Sequence, residues 1–241
     1  MPFDTNEPFP SRFPSQPRAM VSGASEVERR FMAAVYRWMT LGLAVTAGVA
    51  LWVSTSRTAL ELLFGNRAAM IVLVVAQLGL VFALSAAAQR LSAPAAGAMF
   101  ILYSALTGAM LSSVLIVYTG TSVALAFFTT AGTFGAMSVY GTVTKRDLTG
   151  WRSFLMMGLI GMVIAAVVNI FLRSSALSFV FSCMGVIVFT GLTAYDTQRL
   201  REFARAGGGT ASLAVNGALS LYLNFINLFL SLMRLMGGRR S

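Results

Sequence analysis

Hydrophobic positions along this chain fall into seven long blocks rather than the one-sided stripes of a soluble fold. The blocks run Phe31 to Ser54, Ala68 to Ala88, Ala95 to Tyr118, Ser122 to Val143, Trp151 to Leu172, Ala176 to Ala194 and Ala211 to Leu235. As a helix, about 20 residues cross a hydrocarbon layer of about 30 Å. Inside that layer each segment must satisfy its own backbone hydrogen bonds, so the pattern predicts an all-α integral membrane protein with seven transmembrane helices.

The breaks between blocks are short, Arg57 to Arg67 being the longest expected on the outer side, and none can hold a soluble domain. Residues 27–241 therefore read as one seven-helix transmembrane domain. Residues 1–26 read as a disordered cytoplasmic tail, because they carry Pro2, Pro8, Pro10, Pro14 and Pro17 and little apolar surface to offset the entropy of ordering. That tail lacks the basic start, apolar core and cleavage site of a secretory signal, so the first span is expected to act as its own insertion signal.

Charge sets the expected orientation. With the N-terminus in the cytoplasm, Arg12, Arg18, Arg29, Arg30, Arg37, Arg90, Lys145, Arg146, Arg152, Arg199, Arg201 and Arg205 lie inside, and Arg57, Arg67 and Arg173 lie outside. The last span disturbs this pattern, since a seventh crossing places Arg234, Arg239 and Arg240 outside. Either it crosses against its charge or it re-enters; crossing is the preferred reading.

Composition agrees: 57% of residues are hydrophobic and 11% charged, against roughly 25% charged in soluble domains, and the mean hydropathy is +0.77. The net charge of +10 is spread over loop ends, which reads as topology and lipid contact and not as a nucleic-acid surface. The single cysteine, Cys183, permits no intrachain disulfide.

The absence of histidine removes Ser-His and Cys-His nucleophilic sites, the zinc-binding HExxH helix and histidine-ligated haem. No phosphate loop or dinucleotide fingerprint occurs, and an aspartyl intramembrane protease would need a second acid at matching depth. No enzymatic activity and no cofactor are expected. Gly158 with Gly161, Gly132 with Gly135, and Gly108 read as close helix contacts. Trp38, Trp52 and Trp151 read as interfacial anchors. Arg37 can snorkel beside Trp38.

One carboxylate stands out. From Arg30 onward the acids are Glu61, Asp147, Asp196 and Glu202, and Asp196 alone closes an apolar run, Val186-Ile-Val-Phe-Thr-Gly-Leu-Thr-Ala-Tyr-Asp-Thr. A charge at a helix centre costs about 2.5 to 3.5 kcal/mol on insertion scales, so such a residue needs a proton or a donor. Two readings stay open: Asp196 is solvated at a helix end beside Arg199 and Arg201, or it meets a polar partner. The last span offers one, because Asn216, Ser220, Asn224, Asn227, Ser231 and Arg234 recur at helical spacing on one stripe. With the turn centred near Gly208, Asp196 and Asn224 differ in depth by roughly 6 Å, within what an asymmetric turn absorbs.

At these residues the chain resembles the transmembrane Bax-inhibitor-motif family, in its bacterial inner-membrane branch. The resemblance rests on Val186 to Leu200, on Leu221-Tyr-Leu-Asn-Phe-Ile-Asn-Leu-Phe-Leu230 followed by Arg234-Leu-Met-Gly-Gly-Arg-Arg240, and on Phe134 to Gly141 with Thr144 to Leu148. Leu102 to Gly108 extends it. The resemblance implies six helices, as three hairpins, around a central C-terminal helix. It also implies a passive calcium leak gated by protonation of two facing aspartates, with an arginine helping to hold the path closed. Asp196 matches the first aspartate, and Asn224 stands where the second would be.

That departure has consequences. Two carboxylates in contact share a proton, whereas an aspartate facing an amide loses the like-charge interaction, which weakens a pH switch. Calcium favours several oxygen ligands with charged carboxylates among them, so divalent binding should also weaken. The expectation is a passive, pH-modulated cation leak, calcium being the candidate ion, with Asp196 as gate, Asn224 as its partner and Asn227 and Ser220 as neighbouring lining. Asp196 is the only candidate metal carboxylate, and the gating arginine is left open between Arg37 and Arg90. The competing expectation is a non-conducting regulator or scaffold that binds other membrane proteins, such as a quality-control protease. A proton-coupled carrier would call for inverted repeats or broken helices, and the sequence discloses neither.

Overall fold

The computed structural model describes the backbone of residues 18–88, 90–238 and 240, and side chains from Glu26 onward within that range. The proline-rich part of the expected tail, with Arg12, lies outside the described residues, as does Arg239. Helix α1 spans Arg18–Thr55, so residues 18–26 of that expected tail form its first turns. There follow α2, Arg57–Phe64; α3, Arg67–Ala86; α4, Ala93–Val117; α5, Gly120–Val143; α6, Trp151–Leu172; α7, Ser175–Arg205; and α8, Ala211–Met236. Seven of these eight are long and apolar enough to cross a bilayer.

The helix starts follow from local chemistry. Ser56, Asn66, Ser92, Thr119, Ser174 and Thr210 each accept a backbone N–H from the first turn they precede. Pro94 sits in the first turn of α4, where no donor is needed. The extra helix α2 lies inside the longest outer break, Arg57 to Arg67, where no helix was expected. Its Ser56 cap and the Arg57–Glu61 pair at 2.9 Å are the local signals for it. The α7–α8 turn needs Gly207, whose φ of +83° is left-handed.

Packing separates centre from rim. Of the most apolar stretch of α8, 67% is buried, against 11% in α3 and in α6. Helix α8 packs principally against α1, α4, α5 and α7, while α3 leans on α4 and α6 on α7. The outer spans thus form two sets of three, α1–α3–α4 and α5–α6–α7, and in each the first and second both pack on the third. On the rim, Phe82, Phe128 and Phe171 are 69%, 72% and 82% exposed, an apolar exterior that suits lipid and not water.

Small residues allow the closest approaches, at Gly108 and Gly158 as expected and also at Gly141, which the spacing did not single out. A Cβ at Gly108 would lie 2.5 Å from the Thr46 carbonyl oxygen, and one at Gly141 would lie 2.4 Å from that of Ala194. These bring α4 onto α1 and α5 onto α7 backbone to backbone. Gly132, Gly135 and Gly161, read as helix contacts, have nothing within 4 Å and so face outward. Trp38 packs edge-on against Phe100 at 6.4 Å, whereas Trp52 and Trp151 are exposed.

Helix α8 crosses and does not return. Its start follows the α7 turn, and beyond its end Gly238 O accepts from Thr119 N at 3.1 Å while Arg240 N donates to Val117 O at 3.0 Å. The Ser122 hydroxyl accepts from Gly238 N at 3.0 Å. The exit strand is therefore fastened to the α4–α5 turn, at the opposite end of the bundle. At the entry end, Glu28 of α1 receives Arg205 at 2.5 Å and Arg201 as well, tying α1 to α7. Gln198 there accepts from Leu148 N at 2.9 Å and donates to Arg146 O at 2.8 Å, pinning the α5–α6 loop. Within that loop Asp147 accepts from Thr149, which holds its carboxyl below the usual range.

Candidate functional site

Asp196 lies on α7 nine residues before its end, facing α8, because the apolar turns from Val188 to Tyr195 commit that face to the bundle interior. Asn224 lies mid-way along α8 and is 5% exposed. Its Nδ2 donates to Asp196 Oδ2 at 2.7 Å. Among the described residues this is the one side-chain donor that reaches the carboxylate, so of the two open readings of Asp196 the polar partner is the one found. The amide that donates to Asp196 keeps its own oxygen as an acceptor.

Asp196, though not Asn224, lines a cavity of about 680 Å³ between α3, α7 and α8 at the entry end. Ser85, Arg90, Asp196, Arg199, Asn216 and Ser220 provide its polar lining, with Leu200, Phe203 and Leu213 among the apolar wall. Asn216 is oriented by donating to Leu84 O of α3 at 3.1 Å, and Ser212 does the same to Ala88 O at 2.9 Å. These two bonds hold the α3 end against α8 and shape the cavity wall.

Not every expected lining residue faces this space. Ser220 lines the cavity, its hydroxyl 3.5 Å from Asn216 O. Asn227 does not: its Nδ2 donates to Leu223 O of its own helix at 2.8 Å, and Ser231 in turn donates to Asn227 O at 2.8 Å. Ser231 points at α7, where it occupies the space a Cβ on Gly185 would need. Past Asn224 the stripe is thus turned inward onto its own backbone, and Arg234 ends it with its guanidinium 5.0 Å from the centre of the Phe181 ring.

Of the two candidate arginines, Arg90 lines the cavity and Arg37 is exposed elsewhere. Neither Arg90 nor Arg199 forms an ion pair with Asp196 within 4.0 Å. Among the described residues no three acidic, cysteine or histidine side chains gather to hold a metal. The side-chain oxygens that line the cavity on α7 and α8 are those of Asp196, Asn216 and Ser220, a set with one carboxylate.

A second polar cluster escaped the sequence reading. The Tyr222 hydroxyl lies 2.6 Å from Thr46 Oγ1, which donates to Ser104 O at 2.9 Å, and Tyr222 meets Tyr103 edge-on at 5.9 Å. Gln77 of α3 donates to Thr107 Oγ1 at 3.3 Å beside it. Tyr222 and Asn224 are two residues apart and so point to opposite flanks of α8. The available signal was a tyrosine in an apolar helix, whose hydroxyl needs a partner.

Comparison with known proteins places this architecture. The family described as "Inhibitor of apoptosis-promoting Bax1" matches residues 28–241. The inner membrane protein YbhL of Escherichia coli is 53% identical over 215 residues, covering 87% of this chain and 92% of that protein. An uncharacterized protein of Deinococcus radiodurans is 49% identical over 214 residues, covering 88% and 91%, and one of Caulobacter vibrioides is 48% identical over 225 residues, covering 88% and 90%. With six spans packed about α8 and a match along nearly all of their length, the chain belongs to the Bax inhibitor family of multi-pass membrane proteins.

Proposed function

We propose that this protein is a passive cation leak of the bacterial inner membrane, with its N-terminus in the cytoplasm and calcium as the candidate ion. The observation that carries this reading is the 2.7 Å bond from Asn224 to Asp196, a carboxylate that lines an open cavity. A cation entering from the cytoplasmic end reaches Asp196 through Asn216 and Ser220. It goes no further while Asn224 holds the carboxylate and the stripe beyond is folded onto its own helix. This arrangement is the shut form, and rotation or displacement of α8 relative to α7 opens it. Protonation of Asp196 removes the charged acceptor that Asn224 binds, which makes the leak sensitive to pH.

Calcium entry into liposomes containing the purified protein, followed across the acidic to mildly alkaline range, tests this. Flux in the wild type that is lost or becomes pH-independent in Asp196→Asn supports it. Absence of flux in the wild type, beside a conducting relative in the same preparation, overturns it.

A second reading draws on the lining itself. One carboxylate facing two arginines is a poor lure for a divalent ion. That balance favours a non-conducting regulator that binds other membrane proteins, a quality-control protease being one class of partner. Capture of a membrane partner by a protein without flux would select this alternative.

A further inference from the structure

At the entry end of the bundle the arginines fall into two groups. Arg201 and Arg205 share the carboxylate of Glu28, itself only 9% exposed. Arg90 and Arg199 have no carboxylate of the described residues within 4.0 Å, and both line the cavity above Asp196. Arg90 is carried by the turn after α3, where its own N–H donates to Ala87 O at 2.8 Å. Arg199 is carried by α7, three residues past Asp196 and hence on nearly the same face. The cavity walls thus present two guanidiniums from different elements against one carboxylate, and that carboxylate is already taken up by Asn224.

A guanidinium is a planar fork of N–H donors suited to phosphate and carboxylate oxygens, and two that share a cavity repel each other until an anion lies between them. The cavity, about 680 Å³, is of the size that holds small ligands. A carboxylate ligand brings only two oxygens, enough for the two arginines and not for a hydroxyl as well. A phosphate distributes charge over three or four oxygens, enough to meet both arginines and the Ser85 or Ser220 hydroxyl.

We propose that this cavity is a binding site for a phosphate group, clamped between Arg90 and Arg199. The group comes either from the headgroup of an anionic phospholipid in the adjoining leaflet or from soluble phosphate. Bound there, it offsets the positive charge that a cation meets on approaching Asp196. That consequence rests on the leak reading; the binding itself does not.

The test uses the full chain and reads binding, not flux. Retention of phosphatidylglycerol over phosphatidylcholine is measured by native mass spectrometry, and inorganic phosphate is titrated calorimetrically into delipidated protein. Arg90→Gln and Arg199→Gln are each expected to weaken the bound probe about tenfold or more, as loss of a charge-assisted pair predicts. Arg152→Gln, an exposed arginine at the same end but outside the cavity, should change it less than about twofold. Retention of phosphatidylglycerol alone identifies the lipid source, and binding of inorganic phosphate identifies the soluble one. If a glutamine variant does not fold, the lysine variant at that position keeps the charge without the fork and should still bind several-fold more weakly. Equal binding by wild type and both cavity variants, or no preferential binding of either probe by wild type, overturns the proposal. Because flux is not read, failure of the leak reading leaves this outcome unaffected.

Discussion

On one flank of α8, Tyr222 meets Thr46 and Tyr103 in a cluster that is sealed, uncharged and tied to the α4 backbone through Ser104 O. On the other flank, two residues along, Asn224 meets a carboxylate that opens onto a cavity with two unneutralised arginines. Both contacts fasten the central helix by hydrogen bonds. Only the second holds a group whose charge can change and a space through which water, protons or ions can reach it. A buried polar contact in this bundle is therefore structural when its members are neutral and enclosed, and a candidate for function when one is ionisable and reachable.

The comparison can be broken most forcefully on the sealed flank. Gly108→Val places a side chain 2.5 Å from the Thr46 carbonyl, so α4 must move off α1. We expect a loss of about 1–3 kcal/mol or more in stability, read as a lower unfolding temperature in detergent, with the pH profile of any residual flux unchanged. A stable Gly108→Val protein would show that the backbone contact is not tight. On the open flank, Asp196→Asn keeps shape and should leave the unfolding temperature nearly unchanged while making cation flux independent of pH. Parallel loss of folding and flux would make Asp196 structural instead.

Two gentler changes sharpen the contrast. Tyr222→Phe removes one buried hydrogen bond while Thr46 retains Ser104 O, so it should cost about 1 kcal/mol by denaturant titration and leave flux alone. A change of flux comparable to that in Asp196→Asn would erase the difference between the flanks. Asn224→Asp sets two carboxylates in contact, which then share a proton, and the expected outcome is a steeper dependence of flux on pH with little change in its maximum. A pH profile identical to wild type would remove Asn224 from the gate.

Much of the bundle was legible because lipid simplifies the code. Seven apolar blocks met the length of a bilayer, and each became a helix, with boundaries that shifted chiefly where a helix continued past its apolar part, as α7 does beyond Ala194 to Arg205. The approach of Asp196 to Asn224 could be counted from the turn at Gly208, since two antiparallel helices share one rise per residue. The short helix α2 was hidden because eight residues carry too little periodicity to stand out from a loop. Gly132, Gly135 and Gly161 misled because spacing along one helix does not say which side meets a neighbour. Arg90 could not be told from Arg37 as a neighbour of Asp196, since a positive charge near a helix end has the same sequence signature whether it faces lipid or a cavity.

The sequence alone thus determined the number of crossings, the singular carboxylate and the helical stripe opposite it, because burial in hydrocarbon and the 3.6-residue repeat act within a segment. The tertiary structure decided which helix lies at the centre, that Asn227 and Ser231 bond to their own helix while Ser220 faces open space, and that Arg90 joins Asp196 in one cavity. Those facts depend on how helices rotate and cross against one another. That rotation is fixed by contacts between residues far apart in the chain, such as Gly108 with Thr46 and Asn216 with Leu84, to which no local pattern responds.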